Sequence, residues 1–471
     1  MKKNILFILI DNFHAEKCFG ETKTSVTPNI DLLIKNGTYF SHAITAAPST
    51  CPSLSSIFTS HYPFESVIRD KKNYVLNPEI ENYIANLKNF GYTTYAMVSQ
   101  SITLYGIVKF FDNVTSYSTN SSVHDGYGDH IIQKLKSNNM DEPWFYYIHL
   151  LDLHGYKKFD ENEKLKQFHD DSYGINKYEQ MVSSLDKWLG ELLPNIDFDN
   201  TLVIFTSDHG SEDARFSKKL QEYKKNIRTY QPGLLIKSST KMSKNIPSFL
   251  NPLKKSLKQK FLDKRKKILS KKADNEIKTI KNLELSPYDK RIMENAVKAT
   301  YNVFDDRLKI PLLFVGCNIP QTKIIKNQVR SIDIFPTIAE IIGLTKESSQ
   351  RGRSLVPLIE GNITDELPAF IESATNHVDT LSENVVGLRT STFKYFRDKL
   401  DSNSNKNLYD LKDDPLEEKN IAFERSDIVE QMEEELLKIK NDGIFENKER
   451  NLIDDEDAKL VNEELKKLGY I

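Results

Sequence analysis

The sequence predicts an α/β protein built on a mainly parallel sheet flanked by helices, with a smaller C-terminal α+β subdomain. The first observation is a set of short apolar runs bounded by polar residues, such as NILFILI and TLVIFT, which are typical of buried parallel strands. The second is that helical segments alternate with these runs over residues 1 to about 210. The third is size, because 471 residues with 39% apolar content can bury a large core.

The individual elements follow from the same periodicities. In chain order we expect a strand at 4–10, helices near 28–36, 52–60 and 78–90, strands at 93–98 and 144–150, a helix at 174–193 and a strand ending before Asp208. From about residue 300 the pattern resumes with the strand IPLLFVG and the helix DIFPTIAEIIGL. The runs AFIES, VVGLRT and FKYFRD then predict antiparallel strands, followed by a charged helix beginning near Asp427. We therefore divide the chain into a main domain over 1–365 and a subdomain over 366–471.

Acidic and polar residues follow two of the predicted buried strands. Asp11 and Asn12 end the first strand, and Asp208 and His209 follow TLVIFT. Open α/β sheets place their chemistry beyond the carboxyl ends of such strands, so these side chains should converge. Two carboxylates, an imidazole and an amide suit a divalent cation. Residues at strand ends also serve as helix caps, and spacing alone leaves both interpretations open.

A candidate nucleophile lies between them in the segment AAPSTCPSLSSIF. Thr50 precedes Cys51 and Pro52, and a Thr at the cap with Pro in the first turn indicates the start of a helix. A helix N-terminus favours an anion, and a neighbouring metal could activate the Thr50 hydroxyl. Without the acidic residues nearby, an ordinary Thr cap would be the preferred interpretation.

The order of these segments resembles the sulfatase branch of the alkaline phosphatase superfamily over almost the whole chain. The matching stretches are TPNIDLLIKNGTYFSHA, APSTCPS, IFTSHYP, FGYTTYAMVSQ, IHLLDLHGY, VIFTSDHG, KIPLLFVG, SIDIFPTIAEIIGL, GRSLVPLI, VGLRTSTFKYFRD and NLYDLKDDPLEEKNIA. The resemblance implies an alkaline-phosphatase-like fold with a catalytic domain over 1–365. It also implies that Asp11, Asn12, Asp208 and His209 are metal ligands and that Thr50 is the nucleophile.

The Asp-x-His motif of that family matches Asp152 to His154. By the resemblance His154 contacts the ester group of the substrate. Asp152 and His149 are further substrate-binding candidates, and a second metal ion could use them. A histidine packed inside a strand is the alternative interpretation of His149, and it is the one that we prefer.

The sequence also departs from the family pattern. Sulfatases carry a Cys or Ser that is converted to formylglycine two residues before the Pro, and here Thr50 occupies that position. Cys51 is one residue out of register, and we interpret it as a packing residue. Leu54 replaces the Arg of the motif, and Ser99 and Ser101 replace a Lys-x-His pair. We therefore expect no formylglycine and a similarity to phosphoryl-handling relatives.

These residues together predict a metal-dependent hydrolase of phosphate or sulfate esters that forms a covalent intermediate on Thr50. One divalent ion (Mn, Zn, Mg or Ca) is expected, with a second possible, and His209 favours Zn or Mn over Ca. The substrate would be an anionic ester, carried on a glycan or a lipid. Two alternatives stay open: a phosphoryl-group transferase acting on a glycan or lipid, and a catalytically idle relative that only binds.

Composition limits the partners and the location. The net charge of −2 predicts no general attraction to nucleic acid. The three cysteines, Cys18, Cys51 and Cys317, have no pairing or metal-binding spacing, which suits a reducing compartment. The start MKKNILFILIDN is similar to a signal peptide, but its apolar run is only about seven residues long and ends at Asp11. We expect a cytoplasmic protein.

Residues 215–300 form a basic insertion between TSDHG and KIPLLFVG. The insertion holds 24 Lys and Arg against 7 acidic residues. Five apolar residues in it lie near helical spacing and predict an amphipathic helix with a lysine-rich face, namely Leu253, Leu257, Phe261, Ile268 and Leu269. One interpretation is a surface for a membrane or a polyanion, and the other is a solvated lid.

Overall fold

The structure is a computed structural model. It describes residues 2–70, 73–137, 139–154, 162–215, 220, 271–298, 303–345, 350–362, 365–373 and 384–442. The statements below concern these residues.

An eight-stranded sheet forms the centre of the main domain, with the strand order β10-β2-β9-β8-β1-β7-β5-β6. The strands outside the C-terminal part are β1 (Asn4–Ile10), β2 (Gly37–Ile44), β3 (Val67–Asp70), β4 (Asn73–Leu76), β5 (Thr93–Ser99), β6 (Asn113–Tyr117), β7 (Trp144–Leu150), β8 (Thr201–Thr206), β9 (Lys309–Val315) and β10 (Lys323–Arg330). β3 and β4 form a separate two-stranded hairpin. The large sheet is parallel except for β9, which runs antiparallel to both β2 and β8. The sequence therefore predicted the mainly parallel sheet correctly.

Helices cover both faces of this sheet. The α-helices of the chain, including those outside this sheet, are α1 (Ala15–Cys18), α2 (Pro28–Lys35), α3 (Thr50–Thr59), α4 (Pro63–Ser66), α5 (Tyr83–Asn89), α6 (Tyr127–Lys136), α7 (Lys177–Leu192), α8 (Pro287–Lys298), α9 (Asp305–Leu308), α10 (Ile334–Ile342), α11 (Val356–Glu360) and α12 (Ser426–Asn441) among the residues that the structure describes. Short 3₁₀ helices occur at Ile102–Tyr105, Ile107–Phe110, Val123–Asp125, Glu163–Phe168, Asp171–Tyr173, Leu193–Asn195, Glu212–Arg215 and Ser331–Asp333.

The two faces of β1 explain which helices lie on which side. Leu6 and Ile8 belong to one core with α2, α6 and α7. Phe7 and Leu9 belong to the other core, with α3, α5 and α10. Successive side chains of a strand point to opposite faces, so the odd-numbered Asp11 continues the face that α3 covers. This alternation brings Asp11 and the start of α3 to the same side of the sheet.

The C-terminal part is a four-stranded antiparallel sheet covered by α12. Its strands are β11 (Ala369–Glu372), β12 (Val385–Arg389), β13 (Phe393–Asp398) and β14 (Asn407–Asp410). Val429, Met432 and Leu436 of α12 pack on this sheet. The three predicted strands and the final helix are confirmed, while β14 was not predicted.

Some helix boundaries differ from the prediction, and local hydrogen bonds explain the differences. The helix expected at 78–90 begins only at Tyr83, because the Asn82 side chain accepts from the backbone N–H groups of Ile84 and Ala85. The helix expected at 174–193 begins at Lys177, where Asn176 is the N-cap. In α3 the N-cap residue is Ser49, so Thr50 is the first helical residue and the prediction that it caps the helix is wrong.

Much of the basic insertion lies outside the described residues, including the predicted amphipathic helix over 253–269. Within the described part, residues 271–281 are helical and α8 follows them. Both contribute to a separate apolar cluster that includes Ile277, Ile280 and Ile292. No helix in the described part of the chain is long and apolar enough to span a membrane.

Candidate active site

Three adjacent parallel strands bring the candidate residues together. β1 pairs with β7 on one side and with β8 on the other, with Ile10 beside Leu150 and Leu9 beside Thr206. Asp11 follows β1 directly, and Asp208 lies two residues after β8. Because the three strands run in the same direction, their carboxyl ends meet at one edge of the sheet.

Asp11, Asp208 and His209 form a buried cluster at this edge. Each offers one ligand atom, and these atoms all lie within 4.8 Å of one another. One oxygen of each carboxylate accepts hydrogen bonds from other residues. Asp11 Oδ2 accepts from Thr50, and Asp208 Oδ1 accepts from the backbone N–H of His209 at 2.8 Å. The other two oxygens, Asp11 Oδ1 and Asp208 Oδ2, are buried and have no hydrogen-bond partner in the described residues.

The His209 ring is oriented to contribute a lone pair. Its Nδ1 lies 3.0 Å from the carbonyl oxygen of Gly210, which only accepts, so Nδ1 carries the hydrogen. When the ring carries one hydrogen, the lone pair is therefore on Nε2, which lies 3.5 Å from Asp208 Oδ2. A lone pair facing carboxylate oxygens that lack donors fits a divalent cation with oxygen and nitrogen ligands. The residues present therefore fit the metal ion that the family resemblance implies.

The two carboxylates have different pKa values because their surroundings differ. Burial by itself raises the pKa of Asp11, but the hydrogen bond from His149 and the charges of nearby histidines outweigh it and hold that pKa below its usual range. Burial raises the pKa of Asp208, and the negative charge of Asp11 raises it further. Without a cation, the two carboxylates oppose each other's ionisation.

Asn12 contributes its backbone to the cluster. Its φ of 65° places it in the left-handed region, which Asn tolerates better than most residues. Its N–H donates to Asp208 Oδ1 at 3.1 Å, and its carbonyl accepts from the Tyr178 hydroxyl at 2.7 Å. Metal ligation by the Asn12 side chain stays a prediction.

Thr50 lies against this cluster with its hydroxyl directed into it. Thr50 Oγ1 is 3.2 Å from Asp11 Oδ2 and 3.5 Å from His209 Nε2, and the residue is 2% exposed. Cys51 points elsewhere, because its Sγ donates to the carbonyl of Tyr74 at 3.1 Å and its side chain belongs to the core under the sheet. Burial raises the pKa of the Cys51 thiol well above its usual value.

The remaining candidates lie at different distances from the cluster. His149 Nε2 is 3.2 Å from Asp11 Oδ2, and both residues are buried. Asp152 is engaged elsewhere, since Oδ1 accepts from the Val123 N–H at 2.9 Å and Oδ2 accepts from the Tyr127 hydroxyl at 2.5 Å. Asp152 is thus outside the cluster, and its proposed substrate contact stays a prediction.

His154 is half-buried, and its charge helps to lower the pKa of Asp11, which places it near the cluster. Substrate contact by His154 stays a prediction as well. Ser99 and Ser101 contact each other, with 2.6 Å between their hydroxyl oxygens, and both are buried at the end of β5.

Sequence reasoning missed three residues that support the cluster. Tyr147 OH lies 2.6 Å from His149 Nδ1. Ser207 Oγ donates to the His209 carbonyl at 2.7 Å. Gly210 donates its N–H to the Arg307 carbonyl at 2.7 Å. Only Tyr147 carried a signal, because residues two apart in a strand share a face.

The fold and the residues gathered at the sheet edge agree with the ester hydrolases that the family resemblance implies. Comparison with family models identifies the branch. A model described as Sulfatase matches residues 3–256, and one described as N-sulphoglucosamine sulphohydrolase, C-terminal, matches residues 284–442. The chain belongs to the sulfatase family.

Similar sequences and structures agree with this assignment. Arylsulfatase K of Canis lupus familiaris is 22% identical over 475 residues, covering 93% of this chain and 82% of that protein. An ulvan-active sulfatase of Formosa agariphila is 27% identical over 231 residues, covering 44% of this chain and 45% of that protein.

Two solved structures have the same fold over nearly the whole chain. The phosphonate monoester hydrolase of Agrobacterium radiobacter superposes with a TM-score of 0.64 at 16% identity, covering 94% of this chain and 96% of that one. A protein in complex with its substrate D-glucosamine-2-N,6-O-disulfate superposes with a TM-score of 0.61 at 14% identity, covering 94% and 98%. At these identities the likeness shows the fold alone.

Proposed function

We propose that this protein is a metal-assisted hydrolase of sulfate or phosphate esters in which Thr50 is the nucleophile. The observation that carries the proposal is the position of Thr50 Oγ1, which lies 3.2 Å from Asp11 Oδ2 and 3.5 Å from His209 Nε2. The hydroxyl thus adjoins the same groups that offer ligand atoms to a cation. A nucleophilic alcohol needs such a neighbour, because it is weak at its ordinary pKa.

The roles of the residues follow from their contacts. Asp11, Asp208 and His209 would hold the cation, which when bound supplies Lewis acidity toward the ester and the Thr50 oxygen. Thr50 donates its hydrogen bond to Asp11 Oδ2, which leaves its oxygen lone pairs available for attack on sulfur or phosphorus. As a bond forms between Thr50 Oγ1 and that centre, the Thr50 proton passes to Asp11 Oδ2 and the bond from the centre to the alcohol oxygen breaks. Water then attacks the same centre, the bond to Thr50 Oγ1 breaks, and sulfate or phosphate leaves while the Thr50 oxygen regains a proton.

His154 is the proposed group that steadies the ester oxygens or protonates the leaving alcohol. It follows β7 by four residues and is half-buried, whereas Asp11 and Asp208 are fully buried. His149 lies in β7 and Asp152 in the turn after it, and both are buried away from the bulk solvent. Of these three residues, His154 is therefore the one best placed to meet an entering substrate.

The substrate that we propose is an anionic ester on a glycan. The names of the relatives support this choice, since one acts on ulvan and one structural neighbour holds a disulfated glucosamine as its substrate. Phosphate esters stay in the proposal because of Thr50. Oxidation of a Thr side chain gives a ketone and not the aldehyde of formylglycine, so this chain would act without formylglycine.

The test of this proposal compares Thr50→Ala with Cys51→Ala on nitrophenyl sulfate, phosphate, phosphodiester and phosphonate substrates, with Mn, Zn, Mg or Ca added in turn. We expect Thr50→Ala to lower kcat/KM by several orders of magnitude and Cys51→Ala to keep most of it, because removing a nucleophile removes the covalent route. Mass spectrometry of quenched turnover should find the added group on the Thr50 peptide. Activity that survives Thr50→Ala but not Cys51→Ala would refute the assignment.

A further inference from the structure

The two oxygens of the Asp11 carboxylate have different surroundings. Oδ2 receives hydrogen bonds from both Thr50 and His149, at 3.2 Å each. Oδ1 is buried and has no partner in the described residues. A carboxylate rotates easily about its last bond unless something holds one oxygen. The contacts on Oδ2 therefore decide where Oδ1 points.

The second donor to Asp11 Oδ2 is His149, to which the proposed reaction assigns no step. A carboxylate oxygen accepts hydrogen bonds, so the His149 Nε2 that lies 3.2 Å from Asp11 Oδ2 is the donor of this pair. On the other side of the ring, Tyr147 OH lies 2.6 Å from Nδ1. With Nε2 as the donor to Asp11, Nδ1 is the ring nitrogen that can accept, and the Tyr147 hydroxyl is placed to donate to it.

Packing against aromatic residues of the core restrains the Tyr147 ring. Tyr147 and His149 lie on the same face of β7, beside Phe7 and Leu9 of β1 in the sheet register. The Tyr147 ring contacts three phenylalanines of the core, with ring centroids 5.8 Å from Phe7, 5.1 Å from Phe58 and 6.0 Å from Phe111. Tyr147 and His149 are both 0% exposed, so water does not compete for their hydrogen bonds.

We propose that Tyr147 and His149 are positioning residues that orient Asp11 for the cation. Tyr147 selects the tautomer of His149, and the Nε2–H of His149 holds Asp11 Oδ2 so that Oδ1 faces the ligand cluster. This inference rests on the proposed metal site, and it assigns no contact between either residue and the substrate. Outer partners of this kind change metal affinity by about 10- to 100-fold when they are removed.

The first experiment compares two amides at position 149. The amide nitrogen of Gln takes nearly the position of the His Nε2, whereas that of Asn takes the position of Nδ1. His149→Gln should therefore keep a donor to Asp11 and bind Mn²⁺ or Zn²⁺ close to the parent affinity. His149→Asn should bind the ion about 10- to 100-fold more weakly in calorimetric titration of the metal-free protein.

The second experiment uses a matched pair of tyrosines on β7. Tyr147→Phe removes the hydroxyl that donates to His149 and should weaken metal binding in the same direction. Tyr146→Phe removes a hydroxyl that is also buried on this strand but has no hydrogen-bond partner in the described residues. It should leave metal affinity unchanged. If a His149 variant does not fold, as judged by thermal unfolding without metal, the comparison of Tyr147→Phe with Tyr146→Phe tests the positioning role by itself.

The outcomes separate this inference from the proposed function. If the parent protein binds no divalent ion, the proposed metal site is wrong and the positioning role falls with it. If the parent binds an ion and His149→Asn binds it equally well, only the positioning role is wrong. The same holds if Tyr146→Phe weakens binding as much as Tyr147→Phe.

Discussion

Asp11 and Asp208 bring two carboxylates into one buried cluster, and each keeps an oxygen that has no hydrogen-bond partner in the described residues. Burying a charge is costly unless a partner compensates it. Burial and the charge of Asp11 raise the pKa of Asp208, which shows that the metal-free pair resists full ionisation. A divalent cation held by Asp11, Asp208 and His209 would offset this opposition.

The first prediction at this scale concerns Asp208→Asn. We expect it to abolish metal binding by elemental analysis and to remove the rise in Tm that the ion gives the parent protein, because an ion that binds only the folded state stabilises it. Asp152→Asn is the control, since Asp152 bonds Val123 and Tyr127 outside the cluster. It should keep one ion per chain. A stoichiometric ion in Asp208→Asn would show that Asp208 is not a ligand.

A second prediction concerns the same variant without metal, as a function of pH. The pKa of Asp208 is raised in the folded state, so ionised Asp208 costs stability above that pKa and costs nothing once both states are protonated, below about pH 3.9. Metal-free Asp208→Asn should therefore be more stable than the metal-free parent near pH 7, and the difference should shrink as the pH falls toward 4. Urea unfolding at several pH values measures this. A difference that is independent of pH would contradict it.

At the scale of elements, the loop after β8 depends on a close approach to the segment before β9. Gly210 donates to the Arg307 carbonyl at 2.7 Å. A Cβ on Gly210 would lie 2.4 Å from the carbonyl oxygen of Asp306, a distance that real Cβ atoms essentially never show. The backbone of α9 thus holds the loop that carries Asp208 and His209.

Gly210→Ala should therefore displace both candidate ligands while leaving the strands intact. Because a displacement of about 1 Å in an active site can cost about 100-fold, we expect a loss of kcat of that order together with weaker metal binding. Ser211→Ala is the control, because among the described residues its hydroxyl accepts one hydrogen bond, from the Asp213 N–H at 3.2 Å. Full activity in Gly210→Ala would show that the loop can move without consequence.

At the scale of the whole molecule, buried ion pairs join the C-terminal sheet to the main domain. Asp305, at the start of α9, pairs with Arg389 of β12 at 2.8 Å and also with Lys394 of β13. Lys394 also pairs with Glu417 at 2.7 Å, and both side chains are buried. Burial raises the pKa of Asp305, but the charges of Arg389 and Lys394 hold it well below the usual range. These contacts tie the subdomain to α9, next to the site loop.

Asp305→Ala should destabilise the protein by about 3–5 kcal/mol, because it removes the carboxylate partner of the buried Arg389 and one of the two carboxylate partners of the buried Lys394. Urea unfolding near pH 7 measures the change. Glu435→Gln is the control, since its pair with Lys438 is 3.7 Å long and exposed to solvent. It should change the free energy of unfolding very little. Equal effects of the two variants would show that the buried pairs do not stabilise the junction.

The sequence by itself determined the strands β1 and β8, the acidic residues that follow them and the placement of Thr50 before Pro52. Local periodicity carries this information, because a buried strand must be apolar and its carboxyl end must be polar. Thr50, Cys51 and Pro52 are neighbours in the chain, so the position of Thr50 relative to Pro52 can be determined without the tertiary structure.

Only the tertiary structure decided which of the candidates meet. Asp11 and His149 are 138 residues apart in sequence, and Asp11 and Thr50 are 39 apart, so their contacts depend on strand order and not on any local pattern. The same is true of Asp152, whose hydrogen bond from Tyr127 joins residues that are distant in the sequence. The antiparallel direction of β9 was also hidden, because a strand buried on both faces has the same apolar sequence in either direction.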